Sequence, residues 1–575
     1  MGSPMKKMSF DSKDFLVNQR RIVGDKNVIT DAKKSAAYAT GFRFGNGKVL
    51  AVITPSTLIE LWRVAKICVE ADVIMIMQAA NTGLTGGSTP NGEYDRDVVI
   101  ISTIQLQSLH LINEGKQVVS FPGSRLYELE KALEEYDREP HSVIGSSCIG
   151  ASIVGGVCNN SGGALLQRGP AYTELALYAR IDENQQLTLV NHLGIELGEE
   201  PEEILSKLEN RRYTESDIEY PERLASDQEY QERVRDVDAD TPSRFNNDSR
   251  RLYETSGCAG KLIVFAVRLD TFPKVKKEKV FYIGVNNTDT LTSLRRDILS
   301  GFKHLPVAGE YVHRSYFDVC EKYGKDSFIV IQKLGSENMP KLFSLKNKVD
   351  RFFNKLPMLP DNLSDKMLQA IAGLFPDHIP KKMRVYRDEY EHHLMLQMSD
   401  EGIEEAKEYL SQFFDQHEGE YFECSDDEGK RAFLNRFVAG GASKRYYALN
   451  PTFGELLSLD IALRRNETDW FETLPPEIDN LIETKLYTGH FMCHVMHQDY
   501  FLKKGVDAEK VKAQLLAFLD QKGAEYPAEH NVGQLYKAKE PLKKFYQESD
   551  PTNSLNPGIG KTEKGKYWNN SNSPL

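Results

Sequence analysis

Residues 142–163 carry six glycines in 22 positions: 145, 150, 155, 156, 162 and 163. In a helix interior each glycine costs close to 1 kcal/mol relative to alanine, so the stretch cannot be one long helix. Glycine at that density lets a backbone approach a ligand closely. A similar stretch lies upstream, Gln78-Ala79-Ala80-Asn81-Thr82-Gly83-Leu84-Thr85-Gly86-Gly87-Ser88, after the apolar run Val73 to Met77 that reads as a buried strand. Glycine enters positive φ without a Cβ penalty, so several N–H groups can face one concavity and form an anion nest suited to a pyrophosphate. Either stretch alone reads as a solvated turn. Two within one segment favour a bound cofactor.

The surrounding pattern is α+β. Leu50 to Ile53 reads as a strand, and Thr57-Leu58-Ile59-Glu60 has the form of a capping box. Leu58, Leu61, Trp62, Ala65 and Val69 then recur at helical spacing. Further strands are expected at Val98 to Ile101 and Gln117 to Phe121, and an amphipathic helix at Leu126 to Leu133. The charge-dense segment 198–240 reads as a solvated excursion.

Several classes are excluded or disfavoured. No G-x-G-x-x-G follows a strand, so the Rossmann fingerprint is missing. Gly560-Lys561-Thr562 imitates the end of a Walker A loop, but position 555 is leucine where that motif needs glycine. No run of about 18 apolar residues is present to span a membrane, and Met1 to Lys7 lacks the apolar region of a signal peptide. Seven cysteines without a Cys-x-x-Cys pair suggest reduced thiols on the cytosolic side. A net charge of −12 argues against nucleic acid as a partner.

The two glycine stretches, together with His141 to Gly163, Tyr253 to Asp270 with its Ser256-Gly257-Cys258-Ala259-Gly260 turn, and Asp550 to Lys561, resemble the vanillyl-alcohol-oxidase-type (PCMH) FAD flavoproteins. Within that group the chain is similar to the bacterial quinone-dependent D-lactate dehydrogenases across nearly its whole length. The resemblance implies an α+β fold with a two-part FAD-binding domain (1–271 and 523–575) and an α+β cap (272–313, 391–427 and 452–522). It also implies a smaller discontinuous electropositive membrane-binding domain (314–390 and 428–451). Ala79, Ala80, Asn81, Thr82, Gly83, Gly87 and Ser88 would then cradle the FAD pyrophosphate. Ser146, Gly150, Ile153 and Gly163 would contact the cofactor from the second loop, with Val264 and Phe265 on its other side. Many relatives attach FAD through a histidine in the first loop; none lies between Gln78 and Ser88, which implies non-covalent FAD.

From Lys341 to Arg387 there are ten Lys/Arg against four Asp/Glu, a local charge of +6. Phe343, Leu345, Phe352, Phe353, Leu356, Met358 and Leu359 are interleaved with them. The segment reads either as a solvated basic face or as an anionic phospholipid contact. Resemblance to a peripheral enzyme of the bacterial inner membrane's cytoplasmic face favours the second, with Lys430 to Arg445 as an added piece.

The candidate chemistry lies near the C-terminus. His490 and His497 share a face if Gly489 to Asp499 is helical and point apart if it is extended. Glu529-His530 sits in a turn-prone context. These four resemble the histidine motifs of FAD-dependent 2-hydroxyacid dehydrogenases, in some of which they surround a divalent metal. Here Phe491-Met492-Cys493 and Asn531 depart from that pattern, so whether a metal binds is left open. The resemblance implies oxidation of D-lactate to pyruvate with hydride passing to flavin N5 and electrons to a membrane quinone. His530 would be the base, and Arg387 the cation holding the carboxylate. Two alternatives stand beside this: another D-2-hydroxyacid as substrate, or a membrane-surface protein with a vestigial flavin domain.

Overall fold

The computed structural model describes residues 11–141, 150–220, 222–335 and 363–569. The N-terminal part holds two sheets. The first comprises β1 (Val28–Ile29), β2 (Ala51–Ile53), β3 (Ile74–Gln78) and β4 (Val98–Ser102) in the order β1-β2-β4-β3, with β2, β4 and β3 parallel. The helix Leu58–Glu70 makes the crossover between β2 and β3 and buries Leu58, Leu61, Trp62, Ala65 and Cys68. Thr57 caps it, accepting from Glu60 N, while the Glu60 carboxylate reaches back to Ser56 rather than to Thr57.

The second sheet is antiparallel, in the order β5-β6-β10-β8-β9, from β5 (Leu109–Ile112), β6 (Gln117–Ser120), β8 (Ala176–Ile181), β9 (Leu187–Asn191) and β10 (Ile263–Asp270). A short ribbon, β7 (Arg138–Glu139) with β11 (Phe272–Pro273), closes one end. Both sheets share a core in which Ile53, Val99 and Ile101 meet Leu177, Ile263 and Phe265. The C-terminal segment returns to this body, where Leu555 bridges Met75 and the Asn556 amide donates to Gly87 O and Ala259 O.

The segment 198–240 is not a solvated excursion. Its helix Pro201–Glu209 buries Ile204, Leu205 and Leu208 in the same core, and Glu209 accepts from Leu58 N. Further on, Tyr230 and Val234 enter the cap core, and the Asp227 carboxylate pairs with Arg233 and Arg251. Charge density misled the sequence reading because three apolar residues at helical spacing are enough to dock a nine-residue helix, each contributing about 1.5–3 kcal/mol when buried.

The remainder is built on one seven-stranded antiparallel sheet: β12 (Glu278–Val285), β13 (Ala308–His313), β14 (His392–Ser399), β15 (Glu420–Glu423), β16 (Phe453–Ala462), β17 (Ile482–His490) and β18 (Val495–Lys503). The order is β15-β12-β14-β13-β17-β18-β16. Because alternate side chains face opposite sides, the sheet supports two cores. Phe281, Ile283, Leu394, Leu396 and Tyr487 face the helices Thr288–Gly301, Gly402–Phe414 and Ala508–Gln521. Tyr282, Met395, Val312, Leu486 and Phe501 face the helices Arg314–Tyr323, Lys325–Leu334, Lys381–Glu389, Asp426–Phe437 and Ala439–Leu449.

Candidate active site

The strands β17 and β18 form a hairpin whose register sets Thr488 opposite His497 and His490 opposite Val495. His490 and His497 are therefore diagonal neighbours on one face of the sheet, with ring centroids 5.1 Å apart. Neither a helix nor a single extended run brings them together; a hairpin does. Its turn, Phe491–Cys493, is anchored in the core, Phe491 packing edge-on to Trp470 at 4.7 Å, and His494 takes φ 54° to close it. The large residues between the histidines are thus turn anchors.

Carboxylates flank the pair on the neighbouring strands. Glu310 on β13 is registered with His490, and its Oε1 lies 2.5 Å from His490 Nδ1. Asp460 on β16 is registered with His497, 3.4 Å from its Nδ1. The turn at 528–530 folds over this row: Ala528 N donates to Asp460 O, and the Glu529 N–H donates to Asp460 Oδ2 at 2.8 Å. His530 Nδ1 lies 2.6 Å from the same oxygen. Glu529 Oε2 then sits 3.2 Å from His490 Nε2 and 3.7 Å from His497 Nε2, while Oε1 accepts from Arg244.

The turn is locked to the first glycine stretch. Thr85 Oγ1 donates to Asn531 O, and Gln534 N donates to Thr85 O. Gly533 has φ +54°, and a Cβ there would stand 2.2 Å from Thr85 O, so only glycine fits. Asn531, where the related motif carries glycine, accepts from Gly533 N and rigidifies the turn. From the other side, a Cβ on Gly162 would lie 3.2 Å from Glu529 Oε1, and Gly163 O accepts from Arg244. Both glycine stretches therefore meet at Glu529-His530.

The charges are strongly coupled. Burial opposes a charged His490, but Glu310 and Glu529 outweigh it and raise its pKa to about 10. Burial likewise opposes ionised Glu529 and Asp460, yet His490 and Arg244 hold the first well below the usual carboxylate range, and His530 and His497 hold the second there. His530 is raised above its usual value because Asp460 outweighs desolvation. Among the described residues nothing hydrogen-bonds His530 Nε2. Ligand atoms of His490, His497 and Glu529 lie within 4.8 Å of one another. Each histidine keeps Nε2 toward the shared centre and Nδ1 toward a carboxylate, the outer-shell arrangement of metal-binding imidazoles. That donor set fits a divalent cation.

Among the sequence-named cofactor residues, Ala79 to Gly83 have backbone N–H groups that no described residue accepts from, and Gly83 has open space at its Cβ position. That fits an anion cradle. Gly150 has φ +74°, with its carbonyl held by Arg125. Ser146 lies outside the described residues. Ile153 packs into the core beside Leu126 and Leu129 and gives its N–H to Ser124 O. The side chains of Val264 and Phe265 pack into the two cores on either side of β10, where the register shifts between Val264 and Ala266.

Arg387 is a correction. It sits on the helix Lys381–Glu389, bidentate to Asp318 through two 2.6 Å contacts and paired with Asp388, so its charge is already matched. Sequence reading missed Asp460, Glu310, Arg244 and Arg436, the last 3.1 Å from Glu310 Oε2. The available signal was an acid inside an apolar strand run: Ser458-Leu459-Asp460 within Leu456 to Ala462, and Glu310 within Val307 to Val312.

Of the basic run, Lys341 to Lys355 lie outside the described residues. Arg384 pairs with Glu321 and Asp377, and in the second piece Arg445 is buried between Asp326 and Asp365. Arg436 and Arg445 are therefore structural cations. Exposed apolar side chains remain at Met367 and Ile371, on one edge of the helix Leu363–Ala372, and at Leu374, 84% exposed. No helix among the described residues is long and apolar enough to cross a membrane.

Residues 49–174 match the family model described as FAD binding domain, and residues 280–568 the one described as D-lactate dehydrogenase, membrane binding. The quinone-dependent D-lactate dehydrogenase of Escherichia coli (strain K12) is 58% identical over 560 residues, covering 97% of this chain and 98% of the relative. The enzyme of the same name from Corynebacterium glutamicum is 44% identical, with 96% and 97% covered. Among solved structures, 4-ethylphenol oxidase from Gulosibacter chungangensis superposes with a TM-score of 0.57 at 11% identity, covering 96% of this chain and 98% of that one. p-Cresol methylhydroxylase gives 0.56 at 12% identity, with 98% of both chains covered. At such identities the structural likeness establishes the fold.

Proposed function

The chain belongs to the quinone-dependent D-lactate dehydrogenase family, and from that premise we propose how its residues divide the work. It is an FAD-dependent oxidoreductase that oxidises D-lactate to pyruvate and delivers electrons to quinone, with a membrane-binding region and a PCMH-type α+β fold. FAD, held by the glycine stretches, would supply the redox chemistry as hydride acceptor and electron carrier.

The observation that carries the assignment of roles is the Asp460–His530 pair. Asp460 accepts the Nδ1 proton at 2.6 Å and so fixes one tautomer, leaving Nε2 to take the lactate hydroxyl proton. Asp460 also raises the basicity of that imidazole. His490, His497 and Glu529 would hold a divalent cation, which would polarise the substrate hydroxyl. Arg244 positions Glu529, and Glu310 positions His490. Ala79 to Gly83, Gly87 and Ser88 cradle the pyrophosphate, with Gly150 and Gly163 approaching from the second stretch; with no histidine in the first stretch, FAD is held non-covalently.

The domain limits proposed are 1–271 with 523–575 for FAD, 272–313 with 391–427 and 452–522 for the cap, and 314–390 with 428–451 for membrane contact. The limit at 427 falls inside the helix Asp426–Phe437, and the membrane helices share a core with the cap sheet, so the last two parts form one packed body. Anionic phospholipid on the cytoplasmic face is the proposed surface, met by Met367, Ile371 and Leu374 with Lys366 alongside.

The test is an anaerobic flavin spectrum of the purified protein. D-Lactate should bleach it, L-lactate should not, and added quinone should restore it. A flavin reduced equally by both enantiomers, or by neither, overturns the proposal.

A further inference from the structure

Resting on that reading, the site lacks one element: a cation for the substrate's carboxylate. The carboxylates of Glu310, Glu529 and Asp460 are already matched by Arg436, His490, Arg244 and His530, and Asp499 is satisfied by the hydroxyls of Ser458 and Tyr316. Lactate adds a further anion to this set. A carboxylate brought into a partly buried site without an added positive charge pays its desolvation uncompensated.

Arg43 is placed to supply that charge. It stands at the tip of an arch closed by the Gly41 N–H donating to Gly45 O at 2.9 Å. The arch rests on the first glycine stretch: a Cβ on Gly86 would lie 2.8 Å from Phe44 O, and the Asn81 amide donates to Thr40 O at 3.0 Å. The adjoining Gly87 faces Asn531, the neighbour of His530, with 3.6 Å from its Cβ position to Asn531 Oδ1. Opposite the arch stands the start of the helix Ala439–Leu449, where a Cβ on Gly440 would lie 3.9 Å from Arg43 Nη2 and one on Gly441 would meet nothing within 4 Å. That helix packs on the helix Arg314–Tyr323, whose Tyr316 holds Asp499, two residues along β18 from His497.

Arg43 therefore stands between the cofactor stretch and the start of the helix Ala439–Leu449. Among the described residues it has neither a hydrogen bond nor an ion pair. Arg43 is exposed, and the packed surroundings of its guanidinium lower its pKa against the pull of Asp499 and Tyr316. Arg244 and Arg436 are each ion-paired, to Glu529 and Glu310, although among the described residues Arg244 Nε and Nη1 carry no hydrogen bond.

The geometry points to Arg43, carried on the Gly41–Gly45 arch, as the residue that binds the 2-hydroxyacid carboxylate and so orients C2 and its hydroxyl toward His530. A guanidinium can grip a carboxylate through two parallel N–H bonds, which fixes orientation as well as affinity.

The experiment uses the FAD-loaded enzyme and oxalate, a redox-inert carboxylate probe, titrated against the flavin spectrum, with anaerobic flavin reduction by D-lactate in parallel. Arg43→Gln should weaken oxalate binding and raise the D-lactate concentration for half-maximal reduction by roughly tenfold to a hundredfold. FAD content should not change. Arg43→Lys should recover part of the affinity, and Arg387→Gln should match the parent. Oxalate affinity of Arg43→Gln within twofold of the parent, or loss of FAD from both Arg43 variants, overturns the assignment. Failure of the parent itself to be reduced by D-lactate would instead count against the proposed function.

Discussion

Replacing Asp460 by asparagine isolates the role assigned to His530. Asp460 Oδ2 receives the Glu529 and His530 backbone N–H groups at 2.8 and 3.3 Å and His530 Nδ1 at 2.6 Å. An asparagine oxygen can keep the backbone bonds, so the turn should survive, but the charge on the imidazole bond is lost. Hydrogen bonds to charged groups contribute about 1.5–3 kcal/mol. At about 1.4 kcal/mol per factor of ten, that predicts flavin reduction slower by roughly 10- to 150-fold. The pH dependence adds a signature a purely structural role would lack. Asp460 raises the His530 pKa, and the base works only when deprotonated, so reduction in the parent should fall below a limb lying above the usual histidine value. In Asp460→Asn that limb should move to lower pH. The assay is anaerobic stopped-flow reduction by saturating D-lactate from pH 5 to 9, with bound FAD quantified for each variant. An unmoved limb with a rate within twofold of the parent would refute the dyad.

Two further outcomes follow from the same structure. His490, raised to about 10 from an unfolded value near 6.5, contributes stability that is complete below pH 6.5 and lost as pH rises through about 10. With metal chelated, the melting temperature should decline between pH 7 and 10, and His490→Gln should flatten that decline; equal slopes would show that another group sets it. Leu374→Asp combined with Ile371→Asp places charge on the exposed edge at the end of the helix Leu363–Ala372 and just beyond it, and should reduce flotation with anionic phosphatidylglycerol vesicles several-fold, without altering reduction by D-lactate in solution. Undiminished flotation would remove this edge from the membrane contact.

Several elements were legible in the sequence because their causes are local. The helix Leu58–Glu70 follows from an apolar repeat and a threonine cap, and Leu126–Leu133 matches its expected span residue for residue. The first glycine stretch leaves its N–H groups unpaired because small residues and a left-handed Asn81 allow it. Segment 198–240 was misread because docking depends on what lies opposite, and charge density is silent about that. Arg387 was misassigned for the same reason: Asp318, 69 residues away, had already claimed it.

The residues themselves marked two glycine stretches for a cofactor, made histidines and a glutamate near the C-terminus the candidates for chemistry, and set a basic segment apart from an acidic chain. Only tertiary structure decided how these meet. A hairpin, neither helix nor simple strand, puts His490 and His497 on one face. Glu310 reaches His490 across 180 residues, Asp460 reaches His530 across 70, and Arg244 reaches Glu529 across 285. Hydrogen bonding and side-chain periodicity act over a few residues and leave marks in sequence. The charge of a buried group is set by whichever strand is registered beside it, and that register is fixed by the whole sheet.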